Sequence, residues 1–365
     1  MSEGAPNQSN LIAVSIDLLY DGMYVQEEIY DADAIRLITK RGATLNADSI
    51  ERIIRLNAGR GTIYVSGDTY KAMLERTQPI KYEKRKELEE ATGYTAAKDE
   101  TFELLDEIAQ HKTVQQEALE SVSADLSTRL EVTNPSTIMS LINALAPVDE
   151  YLQRHCVNVS LLNGLIGRWL DLPKNEVDLL VLIGLMHDCG KALVPPQVLN
   201  APRKLTLVEF EVIKMHPVLS YELLKDFPEE VRRAARLHHE KVSGEGYPDH
   251  LPCEMIPLAA RITAVSDIYD AMVSQRAYKN PNSPFNIIAM LDKLKDSALD
   301  AVLVDVFNKN MPQELMNRPV MMSNGAIGIV RSFDPEDIEY PMIEVDNMVI
   351  KSNKDLYCIS MYSED

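Results

Sequence analysis

Leu182-Ile-Gly-Leu-Met-His-Asp-Cys-Gly-Lys191 is the stretch around which the chain is organised. An apolar helical run delivers His187 and Asp188 side by side, and Lys191 follows one turn later. A neutral imidazole and a carboxylate can hold a divalent metal, and the two carboxylate oxygens can bridge two metals. Alone, a His-Asp pair is a common surface dipeptide; the other histidines give this one its weight. The chain has seven, at 111, 155, 187, 216, 238, 239 and 250. Those from His155 to His239 fall at the ends or on the inner faces of expected helices, and Asp267 lies on the helix that follows. They read as one metal cluster.

Working outward, Val148, Leu152, His155, Val159, Leu162, Ile166 and Trp169 follow a helical spacing that puts His155 inside the apolar stripe. Val177 to Met186 is nearly all apolar and reads as a helix buried on most sides, with Gly190 as its stop. Thr206-Leu-Val-Glu209 is a capping box opening a helix that ends at His216-Pro217. The next helix starts at Pro228 and runs to His238-His239. Ser243-Gly-Glu-Gly-Tyr-Pro248 is a glycine-rich turn. From Pro257, Leu258, Ile262, Val265, Tyr269 and Met272 form a core stripe, while Ala260, Thr263, Asp267 and Asp270 share a small, polar face.

Beyond this centre the chain changes character. Leu11 to Asp17, Gly22 to Val25 and Thr62 to Val65 are strand-like, with a helix from Asp48 to Leu56, giving a small mixed domain. From Lys81 the sequence is charged and helix-prone; Phe102, Leu105, Ile108 and Val114 suggest a helical stripe, and His111 sits in polar context. Pro135 punctuates this arm before a helix from Thr137. Short strands are expected at Ala326–Val330, Met342–Val345, Met348–Ile350 and Tyr357–Met361. The expected fold is mainly α: an accessory mixed α/β domain (1–80), a helical linker (81–147), a helical catalytic domain (148–315) and a C-terminal β subdomain (316–365).

The net charge of −19 argues against a nucleic-acid polymer as partner. An anionic substrate must then be drawn in by local cations or metals. The four cysteines form no CxxC, which suits a reducing cytosol. The N-terminus lacks the pattern of a signal peptide, and no apolar run reaches membrane-spanning length. These features lead us to expect a cytoplasmic protein, with residues 1–147 offering a homodimer interface.

Imidazoles and carboxylates without thiolates suit iron or manganese, with zinc also compatible. The ligand set exceeds one tetrahedral site; two divalent ions about 3.5–4 Å apart, with a hydroxide between them as nucleophile, fit better. Lys191, Arg276 and Lys279 supply cations for phosphate oxygens. The chemistry indicated is metal-assisted phosphoester hydrolysis.

From about Asp149 to Lys279 the chain resembles the HD-GYP domains, a branch of the HD phosphohydrolase superfamily. The matching pieces are Tyr151-Leu-Gln-Arg-His-Cys-Val-Asn-Val159, His187-Asp-Cys-Gly-Lys191, Lys214-Met-His-Pro217, His238-His-Glu240, Gly246-Tyr-Pro248, Asp267-Ile-Tyr-Asp270 and Arg276-Ala-Tyr-Lys279. The resemblance implies an all-helical domain around a metal centre that hydrolyses cyclic di-GMP to linear pGpG, with onward cleavage to GMP left open. It implies that His155, His187, Asp188 and Asp267 hold one metal and Asp188, His216, His238 and His239 the other. Lys191, Arg276 and Lys279 would meet the phosphates, Tyr247 would lie against the ligand, and Asp188 and Lys191 would serve catalysis. Trinuclear members carry a glutamate where this chain has Tyr151, so two metals are expected rather than three. Ser243 stands where an aspartate is usual, and Cys189 replaces an aliphatic residue. Two alternatives accompany this reading: a catalytically silent receptor for cyclic di-GMP or a protein, and a hydrolase of another cyclic dinucleotide.

Overall fold

The structure is a computed structural model that describes residues 11–15, 24–25, 28–30, 37–46, 49–50, 52–53, 62–66, 89–90, 92–143, 151–199, 201, 203, 205–273, 283–322, 326–345, 347–354 and 356–361. They fall into two compact units, one holding the described residues from Leu11 to Ser66 and the other those from Glu89 to Met361.

The first unit contains two short antiparallel pairs. Strands β1 (Leu11–Ser15) and β4 (Thr62–Ser66) pair with Leu11 opposite Ser66, and β2 (Ile29–Tyr30) pairs with β3 (Leu37–Thr39). Val25, Ile29, Leu45 and Ile53 are its buried apolar side chains among the described residues.

The second unit is mainly helical. Helices α1 (Tyr94–His111), α2 (Gln116–Val132) and α3 (Pro135–Asn143) come first. Their apolar residues share one core with the helices that follow, so the described part of the segment read as a linker packs into the same body. The stripe expected in α1 is shifted. Leu105 and Ile108 are buried, joined by Tyr94, Ala97, Thr101 and Leu104, but Phe102 is exposed and Val114 lies beyond the helix. Residues 94, 97, 101, 104 and 108 keep the 3–4 spacing of one helical face, from which Phe102 is rotated away. Pro135 opens α3 rather than preceding it, a position where its missing N–H costs nothing.

Helix α4 (Tyr151–Trp169) lies at the centre and α5 (Lys174–Met186) crosses it closely. A Cβ on Gly184 would come within 2.5 Å of the Ser160 backbone, so only glycine allows this approach. Ser160 Oγ donates to the Val181 carbonyl, and Asn163 Nδ2 donates to the Leu180 carbonyl and Thr263 Oγ1. These bonds satisfy polar groups that burial would otherwise penalise, and they fix α4 against two neighbours.

The chain continues through α6 (Leu207–Ile213), α7 (His216–Leu223), α8 (Glu229–Leu237) and α9 (Leu258–Val273) to α10 (Pro284–Lys293) and α11 (Ala301–Glu314). The capping box is present: Thr206 Oγ1 accepts from the Glu209 N–H, and the Glu209 carboxylate accepts from the Thr206 N–H. No helix among the described residues is long and apolar enough to cross a membrane.

The chain then enters an antiparallel sheet in the order β8-β7-β6-β5-β9. Strands β6 (Ile327–Ser332), β7 (Met342–Val345), β8 (Met348–Lys351) and β9 (Cys358–Met361) follow the expected pattern. Strand β5 (Pro319–Met322) was not expected from the sequence; its proline stands at the first strand position, where a missing N–H is tolerated.

Candidate metal centre

Helix ends deliver most of the cluster. His187 follows the last residue of α5, His238 follows the last residue of α8, and His216 opens α7 just beyond the end of α6. In each case Nδ1 lies 2.7–2.8 Å from a carbonyl three residues back: Gly184 for His187, Ile213 for His216, Ala235 for His238. Such carbonyls are left over at a helix C-terminus, and a carbonyl can only accept. Nδ1 therefore carries the proton and Nε2 presents its lone pair.

Those lone pairs face a carboxylate. Asp188 is fully buried, with Oδ1 2.9 Å from His216 Nε2 and 3.6 Å from His238 Nε2. Its other oxygen, Oδ2, is 3.4 Å from both His155 Nε2 and His187 Nε2. Asp267 Oδ1 lies 3.1 Å from His155 Nε2, and Asp267 Oδ2 lies 3.7 Å from His239 Nδ1. The Nε2 atoms of His187, His216 and His238 complete no hydrogen bond. Burial lowers the pKa of the His216 and His238 rings, favouring the neutral form. Acceptors thus face acceptors, an arrangement that a cation between them resolves. Two groups of donor atoms meet within 4.8 Å: Asp188, His216, His238 and His239, and separately His155, His187 and Asp267. Both sets fit divalent metals of intermediate hardness.

Burial pushes the Asp188 carboxyl upward, but the Lys191 ammonium, which donates to Oδ2, holds it well below the usual range. Asp267 is buried beside the His155 and His239 rings, and burial opposes its ionisation. Lys191, expected at phosphate, is thus placed against the Asp188 carboxylate. Burial pushes the neighbouring Cys189 thiol up to about 12, which keeps it a neutral packing group.

Gly190 does not end α5, which stops at Met186; it lies in a 3-10 turn, Cys189–Leu193. A Cβ there would stand 2.1 Å from the His216 carbonyl oxygen and 2.6 Å from the Ser220 nitrogen. The residue is glycine because two backbones meet. Ser220 Oγ locks the junction, donating to the His187 carbonyl while accepting from the Gly190 N–H.

Tyr247 stacks on His239 with ring centroids 4.8 Å apart, and Lys214 Nζ lies 5.8 Å from the Tyr247 centroid. The turn carrying Tyr247 is tied down by Glu240, a buried residue whose carboxylate accepts from the Asp249 N–H at 2.6 Å and the Leu251 N–H at 3.1 Å. Sequence reasoning gave Glu240 no role, although it directly follows the two histidines. Hydrogen bonds to an ionised group are worth roughly 1.5–3 kcal/mol each. Glu240→Ala is accordingly expected to lower stability by a few kcal/mol at most and to open the 246–251 turn to limited proteolysis. An unchanged cleavage pattern would remove this role.

Asp270, quoted in the motif without a function, is also part of the centre: its Oδ2 lies 2.7 Å from His155 Nδ1. Its position three residues after Asp267 on one helix was the available signal. Tyr151 is the first residue of α4, one turn before His155. Arg276 and Lys279 lie outside the described residues.

The chain matches the model of the HD domain family over residues 73–303. It is 33% identical over 219 residues to a cyclic di-GMP phosphodiesterase of Pseudomonas aeruginosa, covering 58% of this chain and 51% of that protein. It is 34% identical over 210 residues to the cyclic di-GMP phosphodiesterase response regulator RpfG of Xanthomonas campestris, covering 56% of each. A 3'3'-cGAMP-specific phosphodiesterase of Vibrio cholerae is 30% identical over 161 residues, covering 43% of this chain and 31% of that protein. The chain thus spans about half the length, or less, of these curated relatives. A solved structure of an HDG"Y"P protein from Bdellovibrio bacteriovorus shares the fold, with a TM-score of 0.50 at 15% identity over 83% of this chain and all of that one. Since the family match takes in every residue of both donor groups, the chain belongs to the HD domain family.

Proposed function

We propose that this chain is a metal-dependent phosphodiesterase that hydrolyses cyclic di-GMP to linear pGpG. In this reading His155, His187, Asp188 and Asp267 hold one divalent ion, and Asp188, His216, His238 and His239 hold another. The observation that carries it is the set of imidazole Nε2 atoms facing the two opposite oxygens of Asp188. Iron or manganese best suits the donors, with zinc also compatible. When bound, such ions supply Lewis acidity and lower the pKa of water.

The chain's own residues do the rest. Lys191 keeps Asp188 ionised. The carbonyl partners of His187, His216 and His238 keep those rings in the ligating tautomer. The stacked Tyr247–His239 pair offers an aromatic face to a substrate base. Arg276 and Lys279 are proposed to meet phosphate oxygens. The reading carries with it a cytoplasmic site of action.

A second substrate is favoured by one observation, the likeness to phosphodiesterases named as specific for 3'3'-cGAMP. The test is product chromatography after incubating anaerobically metal-loaded chain with each dinucleotide. Cleavage of cyclic di-GMP to pGpG is expected, with GMP as the product of any second cleavage. Turnover of 3'3'-cGAMP alone would transfer the assignment to that substrate, and binding without turnover of either would make the chain a receptor. Metal analysis of the same preparation is expected to give about two ions per chain, the number the two donor groups can hold. Three well-occupied ions would contradict the binuclear reading.

A further inference from the structure

His155 solves its orientation differently from His187, His216 and His238. It lies inside α4, where backbone carbonyls are engaged in the helix ladder, so no leftover carbonyl is at hand. Its Nδ1–H goes instead to Asp270 on α9. A carboxylate only accepts, so the Asn158 group 2.7 Å from Asp270 Oδ1 is the amide nitrogen. The amide oxygen of Asn158 then faces the other way, where it accepts the Tyr94 hydroxyl at 2.6 Å. The donor direction is therefore fixed along the whole row from Tyr94 through Asn158 to Asp270.

Tyr94 is itself held. The Arg154 guanidinium lies 5.0 Å from its ring centroid, and Arg154 Nη1 donates to Glu89 Oε1 at 2.9 Å. Glu89, Tyr94, Arg154, Asn158 and Asp270 are all buried. In a water-poor interior each bond polarises the next, and a lost donor leaves its acceptor with an uncompensated desolvation cost.

We propose that Tyr94 is a positioning residue for the metal held by His155, acting through Asn158 and Asp270. The proposal rests on the metal-centre reading above. The Tyr94 hydroxyl pairs the far end of the Asn158 amide and so pins the side chain in the place from which its N–H meets the carboxylate. Asp270 then stays aligned on His155 Nδ1, and Nε2 stays aimed between Asp188 and Asp267. Without that hydroxyl the buried amide oxygen is left unpaired, and the side chain is free to shift off Asp270. Since His187, His216 and His238 take their orientation from carbonyls of their own helix ends, the effect falls chiefly on the ion that His155 serves.

The test is cobalt(II) titration of the chelator-stripped chain, followed by the visible absorption of the bound ion. Direct hydrogen-bond partners of metal ligands typically change affinity by 10–100-fold, which is the loss expected for Asp270→Asn. Tyr94→Phe keeps the ring under Arg154 and removes only the hydroxyl. One step removed from the ligand, it is expected to weaken one of two cobalt-binding steps by about 3–10-fold and to alter the absorption of that step. The double variant should bind no more weakly than Asp270→Asn alone, because the two residues act in series. Unchanged affinities in Tyr94→Phe would overturn the proposal, as would additive losses in the double variant. So would a lowered Tm of the metal-free variant with both affinities intact, which marks a purely structural role. Wild-type chain that binds two ions but leaves cyclic di-GMP uncut would defeat the substrate assignment and leave this proposal standing. Wild-type chain that binds no metal would defeat both.

Discussion

Asp188→Ala is expected to bring hydrolysis below detection and to empty both metal positions. In the proposed ligand set each ion loses a ligand at once, because Oδ1 faces His216 and His238 while Oδ2 faces His155 and His187. An enzyme that depends on ions for nucleophile and electrophile should lose on the order of a thousandfold or more. The variant also leaves the largely buried Lys191 ammonium without its carboxylate partner, a change that costs about 3–5 kcal/mol when a buried pair is broken. Circular dichroism must therefore accompany the assay. Asp188→Asn separates the two effects, since it keeps the shape but offers one acceptor oxygen and one N–H₂ group. It is expected to stay folded, to retain about one ion and to remain inactive. Two ions and near-normal turnover in either variant would mean that Asp188 does not bridge.

The second large effect is expected at a position with no polar side chain. Gly190→Ala places a methyl group 2.1 Å from the His216 carbonyl and 2.6 Å from the Ser220 nitrogen, both backbone atoms that cannot swing aside. Overpacking of this kind usually costs about 1–3 kcal/mol. Here the relief is separation of the Cys189–Leu193 turn from α7, and that pulls His216 away from Asp188, now 2.9 Å apart. A fall in Tm should thus accompany loss of metal from the His216 side, and activity should drop more than stability alone explains. A variant with normal Tm and two ions would show that the junction has slack.

The residues of the centre were legible because their side chains carry the chemistry themselves. Imidazoles and carboxylates at the ends of apolar helices have few other uses, and His187-Asp188 fixed where to look. What could not be read was the set of groups that orient them. The carbonyls of Gly184, Ile213 and Ala235 belong to any residue type, so nothing in the side chains marks them. Tyr94 meets Asn158 across 64 positions of sequence, a pairing that only packing creates. Gly190 reads as a helix stop because glycine serves two purposes, and sequence does not say whether φ or space is the reason. The stripe in α1 failed for a related cause. Phe102 is apolar enough to belong to a core yet is exposed, which single large side chains often are.

Helices α5, α6 and α8 end at this centre with the negative poles of their dipoles, against the single positive pole of α7, which begins at His216. Such a locus attracts dications and turns away a phosphodiester, and the chain's charge of −19 offers the anion no help. Under the proposed function the consequence is an order of addition, ions first and dinucleotide second, so that metal supply becomes a gate on turnover upstream of any competition among substrates.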